Sequence, residues 1–405
     1  MSFLNHILPQ LLNVCMFLHK TNRLKFQRRA GLIAINSLHK GLPMLLTPLI
    51  SLLVIRQASA AVWGAFVAVL ITVQLGTHLV AWGNDTYLLR EFSRHPAGMA
   101  DAWQSSLRTR LALFVGLALL AVLLYPQAAG WIVLWGLALA LHQSCAVLIT
   151  YRRDFLFAAV VELAGLAVML TAVFFAGETI TPDWLLRLFA LTTLAKAAIL
   201  LLRYWGVAAG GNGRFQPRYF LAALPFFLLG LGGMLNSRLD LYLIAFYFPA
   251  EEVGVYQVFS SFLLYIQTLA GFILLPFVKT IYRLPHTAIR QIARALLGVG
   301  CFIVPTAIIA LAFLLDRLYG ITLPPAFFWL GGLAALPIFY TSPLIYALYK
   351  AEKQVTVLQV NLVGILTTLI LNLILLPRVG LIGAVIAMAV MKWLALFIYQ
   401  WQSRQ

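Results

Sequence analysis

The chain has 405 residues, of which 62% are hydrophobic and only 10% charged, with a mean hydropathy of +0.94. A soluble domain carries about 25% charged residues, so this chain cannot offer water a normal surface. For the same reason the formal charge of +17 cannot be the footprint of a nucleic-acid interface; its remaining place is in loops beside anionic lipid headgroups.

Residues 2–19 set Leu4, Ile7, Leu8, Leu11, Leu12, Cys15 and Leu18 at helical spacing, with Asn5, His6, Gln10 and Asn13 opposite. This amphipathic stripe precedes Lys20, Arg23, Lys25, Arg28 and Arg29, the reverse of a signal peptide's order. It reads as an interfacial helix on the cytoplasmic leaflet, within a basic N-terminal segment over 1–30.

A helix needs about 20 apolar residues to cross the hydrocarbon core. About twelve such spans follow in chain order, at 31–55, 62–82, 107–125, 129–150, 155–176, 183–205, 219–246, 253–277, 292–315, 324–349, 354–376 and 380–400. The third and fourth are separated only by Pro126-Gln127-Ala128. The fold class is therefore an all-α polytopic membrane protein, with no length left for a soluble domain.

Alternate loops differ sharply in charge. One side collects 21 Lys and Arg, counting the tail, Arg90, Arg94, Arg108, Arg110, Arg152, Arg153 and the later basic turns; the other holds Arg56, Arg317 and Arg378, with Arg187 just inside a helix. Basic loops stay in the cytoplasm, which puts both termini on that side of the membrane. The stretch 206–217, rich in glycine and ending in Pro217, reads as a flexible cytoplasmic linker between halves at 31–205 and 218–405. A weak repeat agrees: Leu42-Pro43 and Leu224-Pro225 lie in the first and seventh spans, and Gly64-Ala65-Phe66 and Gly254-Val255-Tyr256 open the second and eighth.

No catalytic constellation is present in the sequence. The extracytoplasmic loops are short, the histidines are scattered without an HExxH pair, and Cys15, Cys145 and Cys301 lack metal or disulfide spacing and read as small apolar core residues. With no nucleotide-binding motif either, the chain reads as a secondary transporter rather than an enzyme.

Charges inside spans carry the information, since each costs a few kcal/mol at the bilayer centre unless it faces protein or water. They are Lys40, Glu162, Lys196, Arg238, Asp240 and Lys392. Lys40 follows His39, about nine residues or about 14 Å from its cytoplasmic end, and fits a cavity wall, with snorkelling as the alternative. Lys196 and Lys392 occupy matching places in the sixth and twelfth spans, where snorkelling is the favoured reading. Arg238 and Asp240, two apart, point to nearly opposite helix sides and should not pair with each other. Arg238 cannot lose its charge and demands a carboxylate, a water-filled cavity or an anionic ligand. Glu162 exchanges protons near neutrality if unpaired, or pairs with Lys196 or Lys40.

Three stretches carry a family resemblance. Arg238-Leu-Asp240-Leu-Tyr-Leu-Ile followed by Val253-Gly254-Val255-Tyr256, the run Leu376-Pro377-Arg378-Val379-Gly380-Leu381-Ile382-Gly383-Ala384, and the turn Gly83 through Arg90 resemble the polysaccharide flippase (Wzx-like O-antigen translocase) branch of the multidrug/oligosaccharidyl-lipid/polysaccharide exporter superfamily. The resemblance covers most of the chain from about residue 30. It implies two six-helix bundles around a central cavity, alternating access, and an undecaprenyl-pyrophosphate-linked oligosaccharide as cargo. Polysaccharide polymerase or chain-length proteins are the implied partners, besides membrane lipids. Lys40 and Arg238 would then bind the pyrophosphate, Asp240 or Glu162 a coupling proton or sodium ion, with His39, Lys196 and Lys392 in supporting places; no cofactor or metal is implied. Competing readings are a cation-coupled multidrug exporter, a flippase of the peptidoglycan lipid precursor, and a membrane glycan polymerase or ligase.

Overall fold

The fold is described from a computed structural model for residues 39, 41–44, 46–274 and 278–402. The amphipathic N-terminal stretch and Lys40 lie outside the described residues.

Every element among the described residues is helical. An apolar helix α1 runs over Gly41–Gln57. It is followed by α2 Ala60–Ala81, α3 Asn84–Arg94, α4 Met99–Leu124, α5 Ala129–Arg152, α6 Phe155–Ala176 and α7 Pro182–Arg203. The second series is α8 Arg218–Tyr247, α9 Ala250–Leu274, α10 His286–Leu314, α11 Pro325–Ala335, α12 Pro337–Lys350, α13 Gln354–Val379 and α14 Leu381–Gln402. Counting α2–α3 and α11–α12 as bent single rods, eleven are long and apolar enough to cross a membrane. Polar caps start two of them: Ser59 Oγ accepts from Val62 N–H at 3.2 Å, and Thr181 Oγ1 from Trp184 N–H at 3.2 Å, each satisfying an otherwise orphaned helix donor.

Burial patterns identify the solvent as lipid. In α4 the buried residues are Trp103, Gln104, Ser105, Ser106, Thr109 and Arg110, all in its first half, while Leu119, Leu123 and Leu124 of its second half are exposed. Leu123 is 78% exposed, Phe175 80% and Phe246 81%. Polar groups inside and large apolar groups outside are stable only when the surroundings are hydrocarbon. Of the cysteines, Cys145 is buried, but Cys301 is exposed on α10 rather than in the core, an outward placement that costs nothing against lipid.

Two bundles result. In the first, α5 packs on α7 and on α2, and α6 on α7; in the second, α13 packs on α14 and α8, and α10 on α12. The bundles meet chiefly where α2 lies along α9. Lipid gives helices no hydrophobic reason to associate, so close backbone approach matters. A Cβ at Gly64 would run into the Ala250 carbonyl, and one at Gly254 into the Ala60 carbonyl. The two glycines of the sequence repeat thus face each other at the crossing.

The bundles touch at both ends. At the end away from the basic loops, Arg56 Nε donates to Leu318 O at 2.5 Å and its Nη2 to Arg317 O at 2.7 Å. At the basic end, Trp82 stacks on Phe227 with ring centroids 4.0 Å apart and planes 7° apart, and its Nε1 donates to Phe220 O at 2.9 Å. The chain breaks there: Trp82 and Gly83 both have positive φ, 43° and 69°. A side chain at Gly83 would meet Phe227 N at 2.6 Å, so glycine is needed for both conformation and space. Beyond it, the segment expected as a turn forms α3.

The 206–217 linker is held along its length. Asn212 N–H donates to Asp101 Oδ1 at 2.6 Å, Gly213 N–H to Gln104 Oε1 at 3.2 Å, Arg214 N–H to Ser105 Oγ at 3.0 Å, and Gln216 N–H to Thr109 Oγ1 at 2.9 Å. Arg108 donates back to Gly213 O. Residues 101, 104, 105, 108 and 109 share one helix face. Glycine content alone predicts flexibility, but this polar stripe on α4 straps the linker down.

Candidate functional site

The intramembrane charges fall into three groups. On the first bundle, Glu162 of α6 is 6% exposed and meets two partners. Lys196 Nζ of α7 lies 2.9 Å from Oε2, and His142 Nε2 of α5 lies 2.9 Å from Oε1. The lysine stem crosses Gly165, where a Cβ would stand 2.8 Å from Lys196 Cδ. Glu162 and Gly165 share a helix face, so the missing side chain makes the lysine's path to the carboxylate. Lys196 therefore ends on Glu162 rather than at the membrane interface. Its role is to neutralise a carboxylate that would otherwise be buried alone.

On the second bundle, Asp240 of α8 is 5% exposed. Its Oδ2 accepts from the Tyr256 hydroxyl of α9, and its Oδ1 from Leu241 N–H at 2.8 Å. It borders a polar cavity of about 20 Å³ shared with Ser237, Ser260, Gln267, Thr368 and Lys392, room for about one water or bare ion. Lys392 faces Asp240 across this space, and no salt bridge joins them among the described residues. The cavity continues a seam of amides between α8 and α13. Asn236 Nδ2 donates to Asn361 Oδ1 at 3.3 Å, and Gly364 gives Asn236 room.

Arg238 stands at the crease between bundles. Its Nη1 donates to Ser261 Oγ at 3.4 Å, and no carboxylate lies within salt-bridge distance of it among the described residues. Ser261 accepts from Gln257 at 3.0 Å, and Gln257 from Trp63 Nε1 of the first bundle at 2.8 Å. One helical turn after Arg238, Tyr242 donates to Ile71 O of α2 at 2.8 Å. As the two-residue spacing predicts, Arg238 and Asp240 form no ion pair with each other.

His39 is half-buried, its ring 6.5 Å from that of Phe155. A larger cavity of about 160 Å³, between α2, α4 and α5, is walled by apolar groups such as Leu75, Phe114, Leu117 and Ile132 and lies apart from the charges.

Sequence reasoning singles out none of His142, Gln257 and Ser261, and gives Tyr256 only as part of a motif, without a role. Their signal is weak but present: each is a polar residue inside an apolar span. In the sequence Arg110 counts with the basic residues of the cytoplasmic side, because it stands at the very start of the apolar span at 107–125. The helix begins at Met99 and carries Arg110 into the bundle, 1% exposed.

No family profile matches the chain, and no curated protein matches it. Solved structures do. The chain is similar to the lipid II flippase MurJ in an inward closed conformation, with a TM-score of 0.74 at 12% identity, covering 92% of this chain and 88% of that one. It is similar to an inward-facing multidrug resistance MATE family transporter of the MOP superfamily, with a TM-score of 0.63 at 13% identity over 91% and 94% of the two chains. A MATE transporter from Vibrio cholerae gives 0.57 at 14% identity over 93% and 98%. At these identities the likeness is one of fold: a multi-pass helical protein of two bundles, arranged as in MurJ and the MATE transporters.

Proposed function

We propose that the chain is a flippase, moving an undecaprenyl-pyrophosphate-linked oligosaccharide of the O-antigen or a related surface polysaccharide from the cytoplasmic to the periplasmic leaflet by alternating access. The observation that carries this reading is Arg238: a permanent cation within the membrane, at the crease between bundles, with a serine hydroxyl as its partner and, among the described residues, no carboxylate within salt-bridge distance. A pyrophosphate bound there gains charge-assisted, bidentate hydrogen bonds. Lys40, which the sequence puts in the first apolar span, is the second cation proposed to hold it.

The carboxylates favour an anionic cargo over a cationic one. A multidrug exporter of cationic amphiphiles needs acidic groups free to face its substrate. Glu162 is already taken by Lys196 and His142, and Asp240 by Tyr256 with Lys392 opposite. The peptidoglycan lipid precursor shares the pyrophosphate and is the second reading, supported by the fold likeness to MurJ. Return of the empty carrier would draw on a proton or sodium gradient, with the cavity beside Asp240 as the ion's place.

Deleting the gene tests the cargo. The account expects a lipid-linked oligosaccharide to accumulate on the cytoplasmic leaflet, and its mass spectrum names the glycan. Intact surface glycan with no accumulation, together with broad drug resistance on overexpression, would favour the exporter.

A further inference from the structure

Away from the transport path, Arg110 of α4 is buried and only partly satisfied. Its Nε donates to Ser106 Oγ at 3.2 Å and its Nη2 to Ser144 Oγ at 2.8 Å, but Nη1 has no partner. Ser106 Oγ in turn donates to Asn84 Oδ1 of α3 at 2.7 Å, leaving Asn84 Nδ2 without an acceptor. Beside the same serine and guanidinium stands Tyr219 of α8, whose buried hydroxyl approaches Ser106 without the geometry of a full hydrogen bond. Asn84 is 1% exposed and Tyr219 5%.

Three side chains from three helices thus meet at one serine, each with a buried polar atom left without a full hydrogen bond, and one of them carries a charge that cannot be shed. The acidic group whose field reaches Arg110 is Asp85, which is itself exposed, and no salt bridge among the described residues includes Arg110. A buried charge without compensation costs several kcal/mol, and each orphaned donor about 1–3 kcal/mol. A water molecule would accept two of these hydrogen bonds and leave the charge. An anion answers the donors and the charge together.

We propose that Arg110 Nη1, Asn84 Nδ2 and Tyr219 Oη form a binding site for a small monovalent anion of chloride size. The free atoms are closed off from solvent, which favours a monatomic ion over a phosphate. The site lies where the strapped linker delivers Tyr219 onto α4, next to the Trp82–Phe227 stack. A bound anion therefore ties the first helix of the second bundle to the first bundle at the basic end, and its loss loosens that junction.

The test uses the full chain in detergent and needs no transport activity. Thermal unfolding is followed in sodium chloride and in sodium gluconate at equal ionic strength. The midpoint is expected to rise with chloride and saturate, as binding linkage requires, with bromide substituting. Crystals grown in bromide should show an anomalous peak beside Arg110 Nη1. Tyr219→Phe, which keeps the ring, should raise the saturating chloride concentration about tenfold, the effect of losing one hydrogen bond of about 1.4 kcal/mol; Arg110→Gln should abolish the chloride effect. If Arg110→Gln fails to accumulate, the bromide crystal and Tyr219→Phe still decide. Equal midpoints in both salts and no bromide peak would overturn the site and leave it holding water.

Discussion

A charge in the hydrocarbon region must have a counter-charge, water or a ligand, and the residues here divide along that line. Glu162 and Lys196 satisfy each other, with His142 as a third member. Glu162→Ala should therefore destabilise the protein by about 3–5 kcal/mol, the cost of stranding a buried partner, and Lys196→Met in the same chain should restore part of it. Strictly additive losses in thermal unfolding would show that the two do not act as a pair. Lys392 by its place in the last span reads as a snorkelling residue, for which Lys392→Ala is nearly silent. Its position across a cavity from Asp240 predicts lowered thermal stability instead, relieved by adding Asp240→Asn; an unchanged Lys392→Ala protein would return the lysine to the interface. Arg238 has no such partner among the described residues, so Arg238→Ala should leave the protein in the membrane while surface glycan is lost. Normal glycan in that variant would remove Arg238 from the cargo path. The sequence marks these residues because each interrupts an apolar run. It does not show which of them meet, because Glu162 and Lys196 lie on different helices and are joined only by packing.

Among the elements, the spans were legible from hydropathy and their punctuation from proline, glycine and charge. Two features were not. The linker's composition suggests slack, yet it is strapped by side chains that look like ordinary polar residues at the start of the third span until their helical spacing is set against the linker's backbone. Arg110 escaped for a related reason: α4 begins eight residues before its apolar window, so a basic residue near that window's edge is carried inside the bundle. The glycine repeat, in contrast, was visible as a motif, and packing explains it. Gly64→Val should push α2 off α9 and destabilise by about 1–3 kcal/mol, the usual range for overpacking, whereas Gly116→Val, at a position with open space, should cost little. Equal behaviour of the two variants would mean that the α2–α9 crossing is not the joint between bundles.

At the scale of the molecule, two bundles are in contact at both ends, with Glu162 and Lys196 enclosed in the first, Asp240 and Lys392 in the second, and Arg238 at the crease between them. The division into halves follows from the position of the linker and from the weak repeat. The direction of the fold in the membrane rests on the basic loops, and cysteine labelling from each side checks it: a cysteine placed at Arg317 should react from outside the cell and one placed at Arg153 should not. What hydropathy cannot encode is the cargo, because the shape and chemistry of the cavity walls are set by how the helices pack. The most direct measurement is therefore translocation itself, with the full chain reconstituted in vesicles bearing an undecaprenyl-pyrophosphate-linked oligosaccharide on one leaflet. The account predicts that the glycan crosses to the other leaflet with the parent protein and stays in place with Arg238→Ala. Movement no faster than in protein-free vesicles, under an imposed proton or sodium gradient, would contradict it.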